Sequence, residues 1–284
     1  MNPLLINIAG IEIDLSALSK DRINLFWKDP FFRSHLPTKD AGDLKRKVKK
    51  IRIGRWGNKT GPISFPFWLI SKIIPKLLEG KRFLLHAAGL FYNESLIVLI
   101  GPSGAGKSTI TGGLLAKGLK LVGDDKIVLS DKNKVICGNP IISLRRKDVA
   151  RDICLKLGLE INYSNFTNKF YLEPKKVHVV SNRKPKRIFI IKIRLNSAKF
   201  KCLKLKPNNV SFDLFSDVLA TARGFEGFSV DPPMILSKIN CSDKILKNIL
   251  KNINLITYNN KNNLFYMEGS CSRISQEIFK LIRK

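Results

Sequence analysis

Acidic residues are scarce in this chain: 22 Asp and Glu stand against 51 Lys and Arg, a formal net charge of +29 at pH 7. Long apolar runs are missing as well. The longest candidate, Phe65 to Ile74, is interrupted by Pro66 and Lys72 and falls short of the ~20 residues a membrane-spanning helix needs, so no membrane span is expected. Met1 to Gly10 carries no basic opening, which argues against a secretory signal. The five cysteines, Cys137, Cys154, Cys202, Cys241 and Cys271, are scattered, odd in number and without metal spacing. That pattern argues against a cysteine metal site or a disulfide framework and fits reduced thiols in the cytoplasm. The basic clusters Lys45-Arg46-Lys47-Val48-Lys49-Lys50 and Arg183-Lys184-Pro185-Lys186-Arg187 contain no interleaved aromatics, and no nucleic-acid motif surrounds them. No specific nucleic-acid partner is expected. The charge reads as a Lys- and Asn-rich bias along the whole chain, with an acidic protein or peptide partner as the alternative. There is no internal repeat, and no linker long enough to separate two domains.

What is present suits a globular protein. At 284 residues and 44% hydrophobic content, the chain can bury a full core. Residues 1–80 form a distinct opening, expected as a β-containing extension packed on that core. Leu5 to Ile13 alternates as a strand or hairpin around Gly10, and Lys39 to Lys50 is a charged connection. Ile51 to Ile53 is a short strand, and Ser64 to Leu78 is an apolar segment in which Pro66 and Pro75 bound any helix.

From Phe83 to Cys137 the pattern is α/β. Leu119 to Val122 is a strand, and Lys126 to Ser130 with Lys134 to Cys137 flank a turn at Asp131-Lys132-Asn133, so the sheet is not purely parallel. Further on, helices are expected over Lys147 to Leu157, Val210 to Ala222, Asp243 to Leu250 and Ser272 to Arg283. Strands are expected over Val177 to Val180 and Arg187 to Ile193, with a hairpin of Asn254 to Tyr258 and Leu264 to Met267.

The most specific signal is Gly101-Pro102-Ser103-Gly104-Ala105-Gly106-Lys107-Ser108, the pattern G-x-x-x-x-G-K-[ST] of a phosphate-binding P-loop. It follows Leu96 to Ile100, an unbroken apolar run typical of a strand buried on both faces. It precedes Ser108 to Lys117, a helix that stops at Gly118. The glycines let backbone N–H groups converge on phosphate oxygens at a helix N-terminus. Lys107 would reach the β- and γ-phosphates, and the Ser108 hydroxyl would hold Mg²⁺.

Asp124 and Asp125 end the strand after the P-loop helix. If that strand lies beside Leu96 to Ile100, both open on the edge where α/β sheets bind ligands. Two adjacent acids there can divide the work, one supporting Mg²⁺ and the other taking a proton from an attacking hydroxyl. A Gly-Asp-Asp turn without chemistry is the alternative. His86, alone, would be a satisfied core histidine. His35 and His178 stand apart from any such group and read as structural.

Leu85-His86-Ala87-Ala88, Gly101 to Thr109, and Leu121-Val122-Gly123-Asp124-Asp125 together resemble the kinase domain of HPr kinase/phosphorylase. They resemble still more the HPr-kinase-related proteins found with peptide-modification clusters, a group similar in fold to ATP-dependent phosphoenolpyruvate carboxykinase. The strong match covers roughly residues 83–130, with weaker similarity of pattern to the C-terminus. The resemblance implies an α/β fold of the HPr kinase C-terminal/carboxykinase-like P-loop type over 81–284, a mixed sheet flanked by helices. It implies that His86 and Lys107 are catalytic, that Ser108 binds Mg²⁺, and that Asp125 deprotonates the acceptor, with Asp124 as the supporting acid. The true HPr kinases carry a Glu-x-Arg-Gly-type signature after the P-loop region; this chain lacks it, so the resemblance does not extend to HPr as the acceptor.

The function expected is a cytoplasmic Mg²⁺- and ATP-dependent kinase. Residues Gly101 to Thr109 hold the nucleotide, and the γ-phosphoryl group goes to a Ser or Thr hydroxyl of a protein or peptide, or to a small hydroxylated metabolite. Assembly of identical chains is left open. The alternative is a nucleotide-binding regulator without transferase activity. A decarboxylating kinase of the carboxykinase type would need an arginine and lysine cluster around oxaloacetate, and no sequence signature supports one.

Overall fold

The computed structural model describes residues 5–9, 11–15, 28–31, 49–52, 65–79, 81–164, 167–175, 179–196, 199–223 and 243–283. His35, His178, Cys241, Ile53 and the basic stretch 45–48 lie outside them. The described strands are β1 (Leu5–Ile8), β2 (Ile11–Asp14), β3 (Lys49–Arg52), β4 (Arg82–Leu85), β5 (Ala88–Tyr92), β6 (Ser95–Ile100), β7 (Lys120–Gly123) and β8 (Ile127–Ser130). They continue as β9 (Val135–Gly138), β10 (Ile142–Leu144), β11 (Ile161–Ser164), β12 (Lys169–Leu172), β13 (Arg187–Leu195), β14 (Lys201–Lys204) and β15 (Leu264–Gly269). The helices are α1 (Phe65–Glu79), α2 (Lys107–Leu115), α3 (Lys147–Leu157), α4 (Pro207–Arg223), α5 (Asp243–Asn259) and α6 (Cys271–Arg283).

The protein is an α/β fold built on a six-stranded mixed sheet of order β14-β15-β13-β6-β5-β7. All six residues of β6 are buried. Side chains alternate across a strand, so Leu96, Val98 and Ile100 enter one core while Ile97 and Leu99 enter the other. On β13, Ile188 and Ile190 face the first core, and Phe189, Ile191 and Ile193 the second. Helices α1, α4 and α5 cover the first face, and α2, α3 and α6 the second. Ile8, Ile11 and Ile13 from the β1–β2 hairpin are buried in the first core with α1. Three smaller sheets, β1-β2-β3, β4-β8-β9 and β10-β12-β11, surround this frame.

Strand directions decide where a site can form. β6, β13 and β15 are parallel. β5 is antiparallel to both β6 and β7, so β7 runs parallel to β6 with one strand between them. β7 is therefore not the neighbour of β6, yet the two C-terminal ends still open on one edge, where ligands of α/β sheets bind.

Several elements differ from the sequence expectation. Helix α1 runs through Pro75. The missing N–H removes one intrahelical bond, and burial of Leu69, Ile70, Ile73, Ile74, Leu77 and Leu78 outweighs it. The segment 254–258 is not a strand but the end of α5, because Ile249, Ile253 and Ile256 keep a helical period toward the core. β15, expected to close a hairpin, instead pairs parallel with β13. The β8–β9 hairpin forms, but in a separate sheet with β4. The antiparallel pairings of the main sheet come from β5 and β14.

Candidate functional site

The loop Gly101–Gly106 joins β6 to α2 at the sheet edge. Gly106 caps α2 in the left-handed region at φ 94, and a Cβ there would lie 2.2 Å from Leu195 Cδ1, so the position requires glycine. The Leu195 N–H donates to the Ala105 carbonyl (2.9 Å), and the Ala105 N–H to Pro102 (3.1 Å). These bonds fasten the loop to the end of β13. Lys107 opens the helix, 7% exposed, and its Nζ donates to the carbonyls of Gly101 (2.7 Å) and Pro102 (3.3 Å). No acid sits in the first turn of α2, so the N-terminal partial charge of this helix is uncompensated from within.

Across the edge, β7 ends against the end of β9. A Cβ on Gly138 would lie 2.3 Å from the Val122 carbonyl oxygen, an approach that only glycine permits. This contact sets the Asp124 backbone beside Asn139. The Asp124 N–H donates to the Asn139 carbonyl (2.8 Å), and the Asp124 carbonyl accepts from Lys126 N–H (2.8 Å) and Asn139 Nδ2 (3.0 Å). The Asp124 side chain is fully buried. Its Oδ2 accepts from the Ser143 N–H at 3.1 Å, whereas Oδ1 has no hydrogen-bond partner of ordinary geometry. Burial, and then the charge of Asp125, push the Asp124 carboxyl up to about 6; Ser108, Ser143 and Lys107 pull in the opposite direction.

Asp125 adopts a left-handed φ of 66, uncommon for a non-glycine residue and frequent at functional sites. Its two carboxylate oxygens are held separately. His86 Nε2 lies 2.7 Å from Oδ1, and Lys126 Nζ donates to Oδ2 at 3.0 Å. Lys126 is fully buried, while the Asp125 side chain remains 33% exposed toward the cleft.

These pieces border one cleft of about 320 Å³, lined among others by Gly104, Lys107, Ser108, Asp124, Asp125 and Lys169. Ser103, Gly106 and Thr109 also face it, whereas Gly101, Pro102 and Ala105 of the same loop do not line it. His86 is not in the lining and acts on the cleft through Asp125. The sequence reading missed the opposite wall, Ser143, Arg145, Arg146 and Lys169, and missed Lys126 and Asp217. Asp217, on α4, is pushed above the ordinary carboxyl range by burial, against the charges of His86 and Lys107. Its only sequence signal is its spacing of four from Asp213, which puts both on one helix face. Lys126 reads as the first residue of an ordinary strand and Lys169 falls between the expected elements, and nothing local marks either.

The site fits a nucleotide with Mg²⁺ on its own donors. The buried Asp124 Oδ1, without a hydrogen bond of ordinary geometry, is the kind of group that a cation or its bound water satisfies, and the Ser108 side chain interacts with the same carboxyl. Among the described residues, no group of three or more His, Cys, Asp or Glu could hold a metal alone. Mg²⁺ characteristically takes one or two protein ligands and completes its shell with waters and substrate phosphates. Gly104, at φ 85, has nothing within 4 Å of where a Cβ would stand, leaving its backbone open to an incoming anion. No protein-family model and no curated protein matches the chain. Among the described residues, no helix is long and apolar enough to cross a membrane.

Proposed function

We propose that the protein is a Mg²⁺- and ATP-dependent kinase of the HPr-kinase-like P-loop type. It transfers the γ-phosphoryl group to a Ser or Thr hydroxyl of a protein or peptide, or to a small hydroxylated metabolite. The observation that carries this reading is the Asp125 carboxylate, held on one oxygen by His86 and on the other by Lys126, opening into the same cleft as Lys107 and Ser108.

MgATP, when bound, supplies the phosphoryl group and leaves as ADP. Gly104 and the first turn of α2 present N–H groups to its phosphates, and Lys107 adds a charge at the β/γ position. Ser108 and Asp124 are the residues that would hold Mg²⁺. Asp125 accepts the proton of the acceptor hydroxyl, a step worth typically 10²–10⁴-fold. A carboxylate has about four acceptor positions, so the contacts to His86 and Lys126 leave lone pairs for that proton while fixing the group's orientation. The cleft side of Asp125 is where the acceptor oxygen must lie.

The test is γ-phosphoryl transfer from MgATP to a panel of free serine, serine-containing peptides and HPr. Transfer to a hydroxyl that disappears in Asp125→Asn supports the kinase. Tight MgATP binding with no transfer to any acceptor supports the non-catalytic regulator instead.

A further inference from the structure

The wall facing the P-loop is the small sheet β10-β12-β11, tied to the site by the bond from Ser143 N–H to Asp124. On its antiparallel ladder Leu144 pairs with Phe170, so the next residues outward, Arg145 and Lys169, stand opposite each other at the ladder's end. Directly opposed like charges destabilise a sheet. Both residues line the cleft. Neither side chain makes a hydrogen bond or ion pair with the described residues. Arg146, beside them, is different: its guanidinium is bonded through two nitrogens to Asp148.

Lys169 is half-buried, and burial lowers its ammonium below the ordinary lysine range. The largest charge acting on it is that of Asp125, followed by Arg145 and Asp124. Lys169 therefore sits on the side of the proposed base, whereas Lys107 serves the loop. Two cations stand opposite each other at the ladder's end with Asp125 as the strongest opposing charge on Lys169, yet neither side chain forms an ion pair with the described residues, which leaves both able to take an anion.

We propose that Lys169 and Arg145 form an oxyanion subsite beside Asp125, separate from the nucleotide phosphates, so that the acceptor carries a carboxylate or phosphate close to its reactive hydroxyl. This rests on the kinase reading. The subsite would orient the hydroxyl toward Asp125, and it would disfavour neutral alcohols of similar size, because they leave both cations unpaired.

The test uses the full chain with saturating Mg²⁺ and the non-hydrolysable ATP analogue AMPPNP, so that the phosphate positions of the nucleotide are filled. Inorganic phosphate and then acetate are titrated by calorimetry into the parent, Lys169→Met and Lys169→Arg, each checked for an unchanged melting transition. At least one anion should bind the loaded parent. Lys169→Met should weaken that binding at least ~10-fold, Lys169→Arg should recover most of it, and the affinity for AMPPNP should shift by less than ~3-fold in both. The stronger of the two anions identifies the acceptor's charged group. Absence of anion binding to the loaded parent would overturn the subsite while leaving the kinase reading intact. Equal loss of AMPPNP and anion affinity in Lys169→Met would assign the lysine to the nucleotide. Failure of AMPPNP itself to bind the parent would remove the kinase reading and the subsite with it.

Discussion

On one side of the cleft the loop Gly101–Gly106 offers backbone; on the other, Asp124, Asp125 and Lys169 offer side chains. The first wall needs only that the chain turn tightly between a buried strand and a helix, so its chemistry is written in consecutive residues. The second is assembled from distant ones. Asp124 is fixed by Asn139 and Ser143, Asp125 by His86 from 39 residues away, and Arg145 meets Lys169 only through the pairing of β10 with β12. A wall of backbone is robust to most side-chain changes, whereas a wall of buried, mutually held side chains fails when one member is removed.

The largest effect expected on the backbone wall comes from its single charged member. Lys107→Ala should lower transfer by ~10²–10³-fold or more, the scale of losing one preorganised electrostatic contact, with an unchanged circular-dichroism spectrum. Parent-like turnover in that variant would remove the P-loop assignment.

The side-chain wall should show itself in pH dependence. The Asp124 carboxyl stands at about 6 in the folded protein against an ordinary 3.8, so the native state holds its proton more tightly than the unfolded chain. The stability this gives is complete below pH ~4 and is lost as pH rises through ~6, about 3 kcal/mol in total. Asparagine carries no such dependence. In urea unfolding without Mg²⁺, the stability of Asp124→Asn relative to the parent should therefore climb between pH ~4 and ~6.5 and then level off. A flat difference would show that burial does not govern this carboxyl.

A smaller effect tests the contact on which that wall rests. Gly138→Ala places a methyl against the Val122 carbonyl oxygen, and overpacking of this kind costs about 1–3 kcal/mol. The urea midpoint should fall. If it does not, the β7–β9 approach is looser than described, and Asp124 is not fixed by it.

The same contrast explains what could be read in the sequence. β6, the glycine loop and α2 form one local unit, and α3 ends at Gly158 in the left-handed region at φ 61, as its residue types require. The β8–β9 hairpin was legible from its turn residues, but its partner β4 was not, because nothing local says which edge a hairpin will join. Pro75 misled because propensity yields to a buried face. Tyr258 and its neighbours misled because a short apolar run suits strand and helix alike. Asp124 and Asp125 were visible as a pair. Their different environments were not, since burial of Asp124 and of the Lys126 side chain beside Asp125 are products of tertiary packing.

The measurement closest to the central claim separates nucleotide binding from transfer at Asp125. Asp125→Asn keeps the size of the side chain and cannot take the acceptor's proton. MgATP affinity, followed by calorimetry, should stay within about tenfold of the parent, while single-turnover transfer should fall by at least ~100-fold. Parallel loss of affinity and transfer would make Asp125 a metal ligand and favour a nucleotide-binding regulator, and loss of neither would reduce the Asp124-Asp125 pair to a turn.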